Sequence, residues 1–242
     1  MGAWWRLLAA FALFPLLAGA VDDDRPATGR DPANPSCPQT PNWTDIREMS
    51  LTPVTRNGVR ILMAEGAIDA ALPQRLQAAL DADQTIEEIW LRSPGGNARA
   101  GNAAGRIIRD LGVRTRIPSG WTCFSACNFM FMGGASRVIE PGGVFMVHMF
   151  TFTGDRGAIQ YATESGAAAT TELIGDVEQE SALLASEDND FLIRMGVSRR
   201  LLTDVMYRQR AVESGETPAQ RYCLTLDEAT RYNVNAPGRP DR

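Results

Sequence analysis

The chain has 242 residues, 44% of them hydrophobic, which is enough for one well-buried domain and too little for two of comfortable size. A formal charge of −5 and a pI near 5.0 give no electrostatic reason to expect a nucleic-acid partner. All 24 basic residues are arginine and the single histidine is His148, so few side chains can act as a general base at neutral pH.

In chain order, the first segment reads as a secretory signal over 1–20. Arg6 is its only charge, an apolar run spans Leu7 to Leu17, and Ala18-Gly19-Ala20 supplies small residues for cleavage. The run is short for a membrane span, which needs about 20 residues; an uncleaved anchor is the alternative. The expectation is a periplasmic or secreted protein beginning near Val21, with no transmembrane segment once the signal is removed. A proline-rich tail is expected over 21–55, where Pro26, Pro32, Pro35, Pro38 and Pro41 disfavour regular structure.

Regular patterning starts near Asn57. Val59 to Ala64 reads as a strand, and Leu72, Leu76, Ala79 and Leu80 recur at helical spacing. Ile86 to Leu91 reads as a second strand, ending at Ser93-Pro94-Gly95-Gly96. Ala98 to Leu111 is predicted helical, Val113 to Ile117 a strand, and Thr122 to Met132 a helix of small and apolar residues. Short strands follow at Val138-Ile139 and Gly143 to His148, then a long, partly polar helical stretch from about Glu164 to Met195. The alternation predicts a single α/β domain over 56–236, with a short C-terminal tail over 237–242.

Three constellations carry chemistry. Gly95-Gly96 after Pro94 permits close approach of backbone to a ligand and offers amides to an anionic oxygen, although a tight turn needs the same residues. Ser125 sits before the apolar run of a helix, as a nucleophile or as an ordinary cap. His148 ends an apolar strand, where a satisfied core histidine is the common case. A serine nucleophile needs a histidine or an unprotonated lysine as base. With no lysine in the chain, His148 is the conventional base available to Ser125.

Ser93-Pro94-Gly95-Gly96, Gly120, Ser125-Ala126 and Phe145-Met146-Val147-His148 together resemble the Clp protease proteolytic-subunit family, within the ClpP/crotonase superfamily. The order is the family's, with 29 positions from Gly96 to Ser125 and 23 from Ser125 to His148. The resemblance covers Val59 to Met149 well and continues weakly to Leu224-Thr225-Leu226-Asp227-Glu228-Ala229. It implies a spiral of β-β-α units and a serine hydrolase acting on peptides or esters. In that scheme Ser125 attacks, His148 takes its proton, and the Gly96 and Ala126 amides hold the oxyanion. It also implies homo-oligomers, since such cores commonly form rings. The chain departs from the family where a third acid is expected; Asp204 is the nearest candidate. A non-catalytic binding protein on the same core is the alternative, and a crotonase-type reaction on a thioester is a third.

Four cysteines, Cys37, Cys123, Cys127 and Cys223, suit disulfides in an oxidising compartment. Cys123 and Cys127 can pair if the backbone between them is not regular helix, which leaves Cys37 for Cys223. Free buried thiols or a zinc site are the other readings. The spacing lacks C-x-x-C and there is no second histidine, so no metal site and no cofactor are expected.

Overall fold

An antiparallel hairpin opens the ordered domain. β1 (Ser50–Arg56) pairs with β2 (Val59–Glu65) across Asn57-Gly58, and both turn residues have positive φ, 50° and 81°. That backbone geometry matches the twist of paired strands, and Asn-Gly adopts it readily. This computed structural model describes residues 29–44, 46–209 and 221–238; the signal segment expected over 1–20 lies outside them.

From β2 the chain alternates. α1 (Leu72–Ala82) buries Leu72, Leu76 and Leu80, one stripe at intervals of a single turn. At about 1.5–3 kcal/mol for each such side chain removed from water, that stripe holds the helix to the sheet. β3 (Glu88–Arg92) follows, then α2 (Ala98–Asp110), whose N-terminus is capped by Asn97 accepting from the Ala100 amide at 2.8 Å. Next come β4 (Arg114–Ile117), β5 (Thr122–Phe124), α3 (Cys127–Gly133), β6 (Arg137–Ile139) and β7 (Val144–Val147). The remaining elements are α4 (Arg156–Ser165), α5 (Ala167–Met195), α6 (Arg200–Arg208), β8 (Tyr222–Cys223) and α7 (Leu226–Arg231).

The strands divide between two sheets, a five-stranded one ordered β1-β2-β3-β4-β6 and a three-stranded one ordered β5-β7-β8. All pairs from β2 to β6 in the large sheet are parallel, as is β5 with β7. Twice in succession a strand of the large sheet is followed by a strand of the small sheet and then a helix: β4-β5-α3 and β6-β7-α4. The molecule is thus a mixed α/β single domain that winds in β-β-α units. One core, including Leu62, Ile89, Leu91, Ile117, Met130, Phe131 and Phe145, lies between the sheets and helices. None of the described helices is long and apolar enough to cross a membrane.

Three expectations are corrected. The tail expected through Thr55 is partly structured: β1 lies within it, Arg30 bridges Pro38, and Cys37 is joined to Cys223. Its prolines are tolerated because β1 is an edge strand and the earlier segment is fastened covalently. The helix expected from Thr122 to Met132 is a strand, a turn and a shorter helix; the disulfide between Cys123 and Cys127 spans that turn. The long helix begins earlier than Glu164 and breaks at Gly166, which has φ 101°.

Candidate active site

β5 and β7 run side by side in the same direction, with Phe124 opposite Met146. Each strand then ends, so Ser125 follows one and His148 closely follows the other. The Ser125 amide donates to the Met146 carbonyl at 3.4 Å, and Ser125 Oγ lies 2.6 Å from His148 Nε2. On its other side, His148 Nδ1 lies 2.9 Å from the Met149 carbonyl oxygen. A carbonyl can only accept, so Nδ1 carries the ring proton. Nε2 is then the free lone pair and the serine hydroxyl donates to it. Burial lowers the pKa of His148 below its ordinary value, and the Met149 carbonyl partly offsets this. The ring is therefore neutral at pH 7, the state a base requires.

Ser125 has φ 57°, a left-handed conformation that costs a residue with a side chain about 1–2 kcal/mol. Covalent and packing constraints hold it there. The Cys123–Cys127 disulfide closes the turn, with Cα atoms 5.4 Å apart. The Ser93-Pro94-Gly95-Gly96 strap is laced to β5: Ser93 N donates to Thr122 O at 2.9 Å, and Phe124 N to Ser93 O at 3.0 Å. A Cβ at Gly95 would stand 2.6 Å from the Phe124 carbonyl oxygen and 2.7 Å from the Ser125 Cβ, so only glycine lets the strap lie this close. Phe124 covers the pair from outside, its ring 4.8 Å from the imidazole and stacked on Trp43 at 5.6 Å.

The bridge between Ile68 and Gly96 is made by Ile68 N donating to Gly95 O and Asn97 N donating to Ile68 O. It passes over the Gly96 amide. Neither that amide nor the Ala126 amide has an acceptor among the described residues. Gly96, Ser125, Ala126 and His148 all line one cavity of about 350 Å³.

Asp204 does not belong to this group. Its carboxylate accepts from the Tyr232 hydroxyl at 2.7 Å, and the His148 nitrogen it was expected to hold is occupied by Met149. α6 seats Leu201 and Val205 in the core, and with that rotation Asp204 is bonded to Tyr232. Two other residues enter the site unannounced. Buried Gln209 accepts from the Met149 amide through Oε1, while its Nε2 has no partner among the described residues. Asp188, on α5, lines the cavity itself. Burial pushes its carboxyl up to about 6, a rise that the Asn102 amide opposes and Glu187 adds to. No motif marks either residue in the sequence.

No protein-family model matches this chain, and no curated protein matches it. Among solved structures the chain is similar to a mutant of ClpP1 from Listeria monocytogenes, with a TM-score of 0.47 and 16% identity. The match covers 74% of this chain and 92% of that one.

Proposed function

We propose that the protein is a serine hydrolase acting on peptides or esters, with Ser125 as nucleophile and His148 as general base. The observation that carries this reading is the 2.6 Å contact between Ser125 Oγ and His148 Nε2, with the proton fixed on the far nitrogen by Met149. In the reaction, Oγ attacks the substrate carbonyl carbon as its proton passes to Nε2. The carbonyl oxygen gains the negative charge, and the unspent Gly96 and Ala126 amides are the donors for it. Collapse expels the leaving group, which takes the proton from the imidazolium, and water repeats the sequence on the acyl-enzyme. The two disulfides support an oxidising compartment, in keeping with export to the periplasm or beyond.

A second reading, a binding protein without turnover, is favoured by one feature: a neutral carbonyl, and no carboxylate, faces Nδ1. A fluorophosphonate probe separates the two. The hydrolase reading expects the folded wild type to be labelled, and expects Ser125→Ala and His148→Ala each to abolish labelling. Absence of labelling on folded wild type overturns it and leaves the binding protein.

A further inference from the structure

The cavity beside Ser125 holds one feature that the hydrolytic steps do not use. Asp188 lines the cavity from α5, together with Leu184, Leu201, Leu202, Phe129 and Met132. Among the described residues the wall is therefore mostly apolar and carries a single carboxylate. That carboxylate has no ion pair among the described residues. Its Oδ1 and Nδ2 of Asn102 are both buried and complete no other hydrogen bond, so the neutral Asn102 amide is the neighbour that lowers the carboxyl's pKa, and no cation balances its charge among the described residues.

Among the described residues, the arginines of α2 are committed elsewhere. Arg99 pairs with Glu180 at 2.8 Å and reaches Glu187 at 3.7 Å. Arg106 donates to Asn102 Oδ1 at 3.0 Å and lies over the Phe191 ring. Arg109 donates to the Met195 sulfur at 3.2 Å. A carboxylate left this way costs free energy that a folded chain removes by pairing it, unless the partner arrives from outside. Burial is the first cause of its raised pKa and outweighs the lowering contact with Asn102.

We propose that Asp188 forms a subsite for a cationic substrate side chain, a guanidinium or ammonium group on an aliphatic stem, next to the bond that Ser125 attacks. The apolar wall suits the methylenes of such a side chain, and Asp188 suits its head; long cationic side chains are divided in this way. Arginine adds a geometric advantage, because its planar fork can bond both carboxylate oxygens at once. The assignment rests on the hydrolase reading for its catalytic meaning. The binding event itself does not need the chemistry.

The test therefore has two arms. In the first, agmatine is titrated by calorimetry into the full chain carrying Ser125→Ala, with and without Asp188→Asn. Saturable binding that weakens at least tenfold on Asp188→Asn is the expected result. No binding, or binding of equal strength in both proteins, overturns the subsite. Substituting this half-buried carboxylate by its neutral isostere should leave the fold intact, and a thermal melt checks this; should Asp188→Asn fail to fold, Asp188→Leu serves in the same comparison. In the second arm, hydrolysis of the 4-nitrophenyl esters of N-acetylarginine and N-acetylnorleucine is compared. The ratio of kcat/KM should favour arginine at least tenfold in the wild type and fall toward one in Asp188→Asn. A ratio that Asp188→Asn does not move overturns the specificity role. If agmatine binds through Asp188 while neither ester is cleaved and no fluorophosphonate label forms, the subsite stands and the hydrolase reading falls.

Discussion

Ser125 should be a position where glycine is more stabilising than alanine. Its φ of 57° is adopted by side-chain-bearing residues at a cost of about 1–2 kcal/mol, and glycine is spared that cost. Against this, glycine loses about 0.5–1 kcal/mol more backbone entropy on folding. The balance favours glycine by about 0–1.5 kcal/mol, with a central value of about 0.7 kcal/mol. Both Ser125→Gly and Ser125→Ala lose the hydrogen bond to His148, so comparing the two cancels that term and isolates the backbone. In a chain of this size, 1 kcal/mol corresponds to roughly 2–4 °C in Tm. Thermal melts of the oxidised proteins at pH 7, backed by urea titration, should place Ser125→Gly above Ser125→Ala by about 1–4 °C. Alanine above glycine would refute the claim that the nucleophile turn holds its serine under strain.

The pH dependence of labelling follows from the direction of the His148 shift. Only the neutral ring accepts the serine proton, and burial lowers the ring's pKa below its usual 6.5. Fluorophosphonate reaction rates should rise with pH through a midpoint below 6.5 and be level by pH 7; a midpoint above 6.5 contradicts the site geometry. The two disulfides should separate stability from reactivity. Cys37 and Cys223 are 186 positions apart against 4 for Cys123 and Cys127, so loop-closure entropy assigns the first about 5 kcal/mol and the second about 2 kcal/mol. Paired serine substitution at Cys37 and Cys223 should lower Tm further, whereas substitution at Cys123 and Cys127 should slow labelling of Ser125 further. The reverse ranking in both assays would show that the short bridge does not shape the turn. Asp204→Asn should leave the labelling rate within about threefold of wild type, since its carboxylate is bonded to Tyr232. A loss of a hundredfold would return Asp204 to the site.

How far the site was legible depends on whether each part leaves a local signal. Ser125 and His148 are legible through their spacing, 23 positions apart in the order of the family they resemble, and because the chain offers no lysine as a rival base. The strap at Gly95-Gly96 was visible as glycine after proline. The strand-turn-helix around Ser125 was hidden, since Thr122 to Met132 is uniformly small or apolar and a buried three-residue strand has no period to display. The first strand of the hairpin is masked in sequence because it falls in the proline-rich stretch and itself contains Pro53, although Asn57-Gly58 is a strong turn signal. Asp188 and Gln209 could not be found from sequence at all. One is an acid among many on a largely solvated helix, and its isolation is a property of burial. The other acts only because the chain returns to touch Met149 after 60 positions.

The orienting group on His148 bears on what kind of enzyme such a site makes. A carboxylate at Nδ1 would do two things, fixing the tautomer and stabilising the imidazolium that forms in the transition state. The Met149 carbonyl does the first completely and the second only through its dipole. Once the ring is protonated, the carbonyl makes a hydrogen bond with one charged partner where a carboxylate would make an ion pair, so what this arrangement forgoes is the attraction between the two opposite charges. The lower basicity also keeps the ring neutral, and so competent, in mildly acid surroundings. Gln209 fits the same scheme: by accepting from the Met149 amide it holds the peptide just before the Met149 carbonyl that meets His148. A neutral chain of backbone and amide groups thus occupies the place of the acid, while Asp188 is the carboxylate that lines the cavity and, in the proposed subsite, the one that would meet substrate.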